Sequence, residues 1–208
     1  MKSIGGFVMA TAYEYANYVI DEVKKVVTGK DDRIRKAFAA ILAGGHILIE
    51  DVPGVGKTTL AVAFSRAMGL MNQRVQFTPD VMPADILGFS MYQKDTGRFE
   101  YKQGPIMCNL FLADEINRAP AKVQSALLEA MQERQVTLAD TTYKLDEPFL
   151  VLATQNPIEQ DGTYPLPEAQ MDRFMFKLLV TYPNMEELRQ VVTMTQATMA
   201  ETAEAACN

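Results

Sequence analysis

Residue types that suit a phosphate group stand together in segment 54–58, Gly-Val-Gly-Lys-Thr, between a predicted strand and a predicted helix. Glycine lets the backbone approach a phosphate chain closely, and the following helix offers unpaired N–H groups and the positive end of its dipole. Lys57 can pair with the β- and γ-phosphates of a nucleotide, and the Thr58 hydroxyl can hold Mg²⁺. The segment therefore predicts a phosphate-binding loop. A plain turn is the alternative, since Asp51 stands where the full loop pattern has its first glycine.

Two adjacent acids, Asp114 and Glu115, follow the apolar segment 110–113. If that segment is a strand of a parallel sheet, both acids lie at its carboxyl end, the edge where such folds bind their ligands. Asp114 is then predicted to bind the water shell of Mg²⁺, and Glu115 to act as general base toward an attacking water. The alternative is a strand end capped by solvated acids, which is common for one acid and less expected for a pair.

Two further polar residues are candidates for the same site. Asn156 lies three residues after the fourth apolar strand segment, where it can orient a water or touch a γ-phosphate; a turn residue before Pro157 is the alternative. Arg173 is a candidate arginine finger, a guanidinium that stabilises the charge of phosphoryl transfer, and a surface arginine is its alternative. Together with Glu115, these two residues form the predicted catalytic set.

The elements that must position these residues alternate between apolar strands and amphipathic helices. Five core strands are predicted at 47–49, 74–77, 110–113, 149–153 and 176–180. Helices are predicted at 12–27, from Asp31 or Asp32 to residue 43, and at 59–68, 120–132 and about 185–195, with a helical turn at 168–173. Two β-hairpins are predicted, at 89–102 and at 136–145. The alternation indicates an α/β fold.

The composition excludes several classes of protein. Of 208 residues, 48% are apolar and 22% are charged, which is typical of a globular chain with a sizeable core. The net charge is −6, without the basic excess that is usual for nucleic-acid binders. The longest segment without an acid, lysine or arginine has thirteen residues, 37–49, and a membrane span needs about 18. The presence of only two cysteines, Cys108 and Cys207, excludes a disulfide framework and indicates a reducing, cytoplasmic setting. The chain has one histidine, His46, which is expected to begin a strand.

From about Val26 to Pro183, the chain resembles the MoxR family of AAA+ ATPases. Four motifs carry the resemblance, in this order: D-V-P-G-V-G-K-T, F-L-A-D-E-I-N-R-A, A-T-Q-N-P and L-P-E-A-Q-M-D-R-F. The resemblance implies a P-loop NTPase αβα sandwich, with a five-stranded parallel sheet of order 5-1-4-3-2 and the two hairpins as inserts. It implies ATP and Mg²⁺ as cofactors. It also implies an ATPase core at 1–183, followed at 184–208 by the start of a truncated helical lid and a tail.

The resemblance also implies the roles of individual residues. Val26 and Val27 would line the adenine, and Asn156 would be a sensor on the strand between the phosphate loop and the acids. Arg173 would lie at the carboxyl-end rim of the sheet, away from its own phosphate loop, and would reach a γ-phosphate only across a subunit boundary. The implied metal ligands are Thr58 and Asp114. The implied nucleotide-binding residues are Val26, Val27, Pro53, Gly54, Val55, Gly56, Lys57, Thr58, Thr59 and Asp114.

Members of this family form rings, commonly hexamers, and the resemblance implies remodelling or maturation of a partner protein complex. Metal-cofactor insertion is one such role, often beside a partner with a von Willebrand factor A domain. Two alternatives stay open. No sensor 2 arginine motif follows residue 183, so either the chain is a portion of a longer protein or the lid is missing, and a lid-free module would bind nucleotide without turnover. A nucleic-acid motor is less expected, because the hairpins hold four bases and three acids: Lys94, Arg98, Lys102 and Lys144 against Asp95, Glu100 and Asp140.

Overall fold

The computed structural model describes residues 11–27, 31–51, 57–138, 141–156 and 163–180. The helices within these ranges are α1 Ala12–Lys24, α2 Asp31–Leu42, α3 Lys57–Met68, α4 Pro83–Leu87, α5 Ala121–Glu133 and α6 Glu168–Met171. The strands are β1 His46–Asp51, β2 Asn72–Gln76, β3 Gly88–Gln93, β4 Arg98–Gln103, β5 Leu110–Asp114, β6 Gln135–Leu138, β7 Thr141–Lys144, β8 Leu150–Gln155 and β9 Phe174–Val180. The predicted helix at 185–195 and the predicted division after residue 183 lie outside the described residues.

Five strands form one parallel sheet in the order β2-β5-β8-β1-β9. When these five are numbered among themselves along the chain and read from the β9 edge, the order is 5-1-4-3-2, which confirms the prediction. The strand β8 pairs with β1 on one side and with β5 on the other. The carboxyl ends of these three strands therefore meet at one edge of the sheet, which we call the carboxyl edge.

Apolar residues alternate between the two faces of this sheet. In β8, Leu150 and Leu152 join a cluster with residues of α1, α2 and α3, while Val151 and Ala153 join a second cluster with residues of α4 and α5. The alternation follows from the strand geometry, in which successive side chains point to opposite faces. Helices therefore cover both faces, and the predicted αβα sandwich is confirmed.

The first helix illustrates how local sequence fixes an element. The Thr11 hydroxyl accepts a hydrogen bond from the Glu14 N–H at 3.2 Å, and the Glu14 carboxylate accepts one from the Thr11 N–H at 2.6 Å. This reciprocal pair is a capping box, which satisfies backbone donors that the first helical turn leaves unpaired. The buried face of α1 then carries Val19, Ile20 and Val23 into the core.

Two antiparallel hairpins, β3–β4 and β6–β7, extend from the sandwich and confirm the two predicted inserts. The rings of Tyr101 in β4 and Tyr143 in β7 stack with centroids 4.1 Å apart, which joins the hairpins. The base of the first hairpin has no room for a side chain at Gly104, where a Cβ would lie 2.2 Å from the Ile86 carbonyl oxygen. Glycine is therefore required at this close approach of two backbones.

The sequence did not predict α4, a five-residue helix. Its start is fixed locally, because the Asp85 carboxylate accepts a hydrogen bond from the Met82 N–H at 2.8 Å. A helix this short has no repeat of apolar residues from which it could be predicted. Cys108 is a buried free thiol, and burial raises its pKa to about 12. None of the helices in the described ranges has the length and apolar character needed to cross a bilayer.

Candidate functional site

The segment predicted to bind phosphate stands in the chain between β1, which ends at the carboxyl edge, and α3. The predicted contacts Pro53, Gly54, Val55 and Gly56, and the side chain of Lys57, lie outside what the structure describes. The described chain ends at residue 51 in β1 and begins again at Lys57 in α3. The first turn of α3 leaves backbone N–H groups without helical partners and carries the positive end of the helix dipole. This end of α3 suits a phosphate group.

A groove of about 470 Å³ runs between α1 and α3 beside this helix start. Thr58 and Thr59 line it from the first turn of α3, and Tyr18 and Val26 line it from the α1 side. Of the two valines predicted to contact adenine, only Val26 lines this groove. Val27 is buried in the apolar cluster shared with α2.

Asp114 ends β5 and is buried between two hydrogen-bond donors. Its Oδ1 accepts a hydrogen bond from the Thr154 hydroxyl at 2.6 Å, and its Oδ2 pairs with the Arg74 guanidinium at 2.7 Å. Thr154 belongs to β8 and Arg74 to β2, the two strands that flank β5. The carboxylate is thus fixed at the carboxyl edge from both sides.

Glu115 has a left-handed backbone, with φ of 58°, directly after the end of β5. Its N–H donates to the Thr154 hydroxyl at 2.9 Å, and its carboxylate pairs with Arg118 at 3.2 Å. A positive φ is uncommon for a residue other than glycine, so the hydrogen bonds around Glu115 compensate a backbone cost. The structure brings Asp114 and Glu115 together at the carboxyl edge, as predicted.

Asn156 follows β8 directly and is buried at the same edge. Its backbone carbonyl accepts a hydrogen bond from the Asn117 side-chain amide at 3.3 Å. Asn117 lies in the 3₁₀ turn Ile116–Arg118, which follows Glu115. Hydrogen bonds therefore connect the segment after the acids to the end of β8.

The buried Gln124 of α5 contacts the same 3₁₀ turn. Its amide nitrogen lies within hydrogen-bond distance of the carbonyl oxygens of Ile116, Ala119 and Tyr164, at 3.2, 3.1 and 2.8 Å. The turn is thereby tied both to α5 and to the loop that contains Tyr164.

The predicted placement of Arg173 at the carboxyl-end rim is wrong. Arg173 directly precedes β9, whose first residue Phe174 pairs with His46, the first residue of the parallel strand β1. Since parallel strands begin at the same edge, Arg173 lies at the amino edge of the sheet. There it lines a cavity of about 610 Å³ with Gly44 and Arg134, and its Nε donates to the Gln132 side-chain oxygen at 3.1 Å.

His46 begins β1, as expected, and is buried. Its Nδ1 accepts a hydrogen bond from the Val151 N–H at 3.0 Å, so the ring proton lies on Nε2, which donates to the Met131 carbonyl at 3.1 Å. Burial lowers the pKa of His46, and the nearby Arg134 charge acts in the same direction. Both ring nitrogens are engaged with the backbone, so this histidine has a structural role.

Four residues that support the site were not predicted to do so: Arg74, Asn117, Gln124 and Thr154. Thr154 and Asn117 stand inside the motifs A-T-Q-N-P and D-E-I-N-R-A, and this neighbourhood was the only signal of their position. Arg74 and Gln124 act through contacts 40 and 8 residues away in the chain, respectively. Such contacts follow from the sheet order and the helix packing, and no local sequence pattern predicts them.

The donors at the carboxyl edge fit a magnesium nucleotide in their chemistry. Mg²⁺ prefers oxygen ligands from one or two protein side chains together with water and phosphate. The Asp114 carboxylate and the Thr58 hydroxyl are ligands of this kind, and the start of α3 provides backbone donors for phosphate.

Comparison with known proteins identifies the class. Residues 46–176 match the family described as "ATPase family associated with various cellular activities (AAA)". The chain is 51% identical over 173 residues to Chaperone MoxR1 of Mycobacterium tuberculosis, which covers 83% of this chain and 46% of that protein. It is 52% identical over 175 residues to the uncharacterized protein YeaC of Bacillus subtilis, which covers 84% of this chain and 55% of that protein. The chain belongs to the MoxR family of AAA+ ATPases.

A solved crystal structure agrees with this assignment. A candidate ATPase from Cytophaga hutchinsonii superposes with a TM-score of 0.78 at 55% sequence identity, covering 88% of this chain and 56% of that one. The chain thus spans about half the length of the curated relatives and of the solved structure that it matches.

Proposed function

We propose that this chain contains the catalytic core of a Mg²⁺-dependent ATPase. The observation that carries the proposal is the arrangement of the carboxyl edge. Asp114 and Glu115 stand at the end of β5, and one hydroxyl of β8 contacts both residues at 2.6 and 2.9 Å. On the other side of β8, β1 leads into the glycine-rich segment and α3. An acid pair and a phosphate-binding helix start, on the two strands that flank β8, are the parts that ATP hydrolysis requires.

In this proposal each side chain has one task. Lys57 and the N–H groups of segment 54–58 bind the phosphates, while Thr58 and Asp114 hold the metal, which neutralises charge on the phosphates when bound. Glu115 accepts the proton of the attacking water, and Asn156 orients that water. Val26 and Thr59 contact the nucleotide along the groove between α1 and α3.

We further propose that the intact protein acts as a ring, with a hexamer as the expected state. Arg173 lies at the amino edge, the full length of β1 away from its own phosphate segment, so a guanidinium at this position serves the site of a neighbouring subunit. The expected client is a protein complex that is remodelled or matured, and the expected partner contains a von Willebrand factor A domain. Both expectations come from the family resemblance, and the name of one relative, Chaperone MoxR1, supports the first. The setting we propose is the cytoplasm.

Calorimetric titration with ATP tests the phosphate-binding assignment. Lys57→Ala is expected to abolish most ATP affinity, because the triphosphate loses its cationic partner. Thr58→Ala is expected to remove mainly the part of the affinity that depends on Mg²⁺. The exposed Lys144 of β7 provides a matched control, since Lys144→Ala removes the same charge from a hairpin outside the five-stranded sheet.

Unchanged ATP affinity in Lys57→Ala would contradict the assignment. Tight ATP binding without phosphate release by the unmodified chain would instead support a nucleotide-binding module that does not turn over.

A further inference from the structure

Thr154 is a polar residue that directly follows the buried apolar run of β8. The four residues before it in β8, Leu150 to Ala153, are all buried apolar residues, and Thr154 itself is 0% exposed. Burying a hydroxyl is unfavourable unless it forms hydrogen bonds, and valine would fill the same space without that cost. A hydroxyl at this buried position is therefore expected to form hydrogen bonds.

The Thr154 hydroxyl forms two hydrogen bonds, one with each of the two acids of the site. The hydroxyl donates to Oδ1 of Asp114 at 2.6 Å and accepts from the N–H of Glu115 at 2.9 Å. One donor and one acceptor are thus satisfied by two consecutive residues, the last residue of β5 and the residue after it. Threonine is branched at Cβ and stiff at χ1, so the hydroxyl is held in a fixed direction by the strand.

The hydrogen bond to the Glu115 N–H acts on the residue whose backbone most needs support. A glutamate at φ of 58° is in the left-handed region, which costs free energy for any residue with a Cβ. This conformation turns the chain out of β5 into the 3₁₀ turn at Ile116–Arg118 and decides where the Glu115 carboxylate lies. The Arg118 pair also holds that carboxylate, at 3.2 Å, but through a half-exposed side chain.

We propose that Thr154 is a positioning residue for hydrolysis: one hydroxyl of β8 sets the carboxylate of Asp114 and the backbone of Glu115 together. Asn156 directly follows the same strand, two residues after Thr154, so a shift of the end of β8 moves the sensor residue and both acids as a unit. The inference rests on the proposed ATPase function, and it concerns how the acids are held rather than whether they act.

The test compares Thr154→Val, which keeps the shape and removes the hydroxyl, with Thr154→Ser, which keeps the hydroxyl. The valine variant is expected to lower kcat about 100-fold, the loss typical of a misplaced catalytic group, while ATP affinity changes less than about threefold. The serine variant is expected to retain most of kcat. Thr142→Val on the exposed strand β7 is the matched control for the substitution itself.

A second measurement reads the geometry without catalysis. In the unmodified chain the Glu115 amide proton is expected to exchange slowly with solvent, because Thr154 accepts its hydrogen bond. In Thr154→Val the exchange is expected to become faster at this amide, while the amides of β8 stay protected. If the valine variant does not fold, Thr154→Ala is measured in its place, and the amide of the unmodified chain still provides a test.

The proposal would be overturned by a valine variant with the kcat of the unmodified chain, or by fast exchange of the Glu115 amide in the unmodified chain. Equal losses in the serine and valine variants would also overturn it, since the hydroxyl would then not be the important group. In each of these cases the ATPase assignment would stand as long as the unmodified chain hydrolyses ATP. Absence of hydrolysis in the unmodified chain would instead contradict the proposed function.

Discussion

Replacing Arg173 by alanine is expected to leave ATP binding unchanged and to slow hydrolysis strongly. Arg173 lies beside the first residue of β1. The phosphate segment follows the last residue of β1, which is five residues further along the strand. At about 3.3 Å per residue the separation is about 16 Å, a distance that one arginine side chain does not span to reach hydrogen-bond range. Arg173 can therefore act on a γ-phosphate only in a neighbouring subunit. Where arginine fingers operate, their loss costs about 10³–10⁵ in rate.

The assay is phosphate release by mixtures of two inactive variants. Arg173→Ala keeps Glu115, and Glu115→Gln keeps Arg173, so an interface is intact only when the first supplies the site and the second supplies the finger. In a ring assembled at random from equal amounts, about one quarter of the interfaces satisfy this condition. The mixture is therefore expected to recover up to about a quarter of the rate of the unmodified chain. Arg98→Ala, on the exposed strand β4, is the control variant.

Two observations would refute this reasoning. The first is a mixture that stays as inactive as its components although mass measurement shows mixed rings. The second is a rate per subunit that does not change with protein concentration across the range in which rings form. An activity of Arg173→Ala equal to that of the unmodified chain would show that this residue is a surface arginine.

Three further predictions concern charge, protonation and packing. Asp114→Asn is expected to raise the Mg²⁺ concentration needed for ATP binding. Arg74→Met is expected to lower that concentration by no more than about fivefold, since a half-exposed guanidinium competes weakly for the carboxylate. Shifts of the two variants in the same direction would contradict this prediction. Burial lowers the pKa of His46 from 6.5, so stability that is complete above about pH 6.5 is lost as the pH falls below it, by up to about 1.4 kcal/mol per pH unit. Urea unfolding at several pH values should show this slope in the unmodified chain and not in His46→Gln. Gln124→Leu is expected to reduce the free energy of unfolding by about 1–3 kcal/mol, because backbone carbonyls around the 3₁₀ turn lose the donor that the Gln124 amide provides. An unchanged urea midpoint would contradict this prediction.

Most of the sheet could be predicted because β1, β5, β8 and β9 are largely apolar runs. The segment Leu110–Asp114 is an example, since four buried apolar residues end abruptly at an acid. The edge strand β2, Asn-Gln-Arg-Val-Gln, has a single apolar residue and gives a weaker signal. The order of the strands came from the family resemblance, as no local pattern specifies which strands pair. The contacts of Thr154 and Arg74 with Asp114 join residues 40 positions apart, so they follow only once that order is known.

The misplacement of Arg173 has a physical reason of its own. A residue directly before a strand lies at the edge where that strand begins, and in a parallel sheet all strands begin at the same edge. The sequence contained this information, because Arg173 directly precedes the last core strand, while Glu115 and Asn156 follow theirs. With Arg173 at the amino edge, its action across a subunit boundary is still proposed. The distance between Arg173 and the phosphate segment of its own subunit is larger than it would be at the carboxyl edge.

The most direct test of the proposed ATPase site is phosphate release and ATP binding measured on Glu115→Gln beside the unmodified chain. A neutral amide cannot accept the proton of the attacking water, so the variant is expected to bind ATP with unchanged affinity and to release phosphate about 10²–10⁴ times more slowly. Glu129→Gln, on the exposed face of α5, is the matched control. Hydrolysis by Glu115→Gln at the rate of the unmodified chain would contradict the assignment of Glu115 as the base.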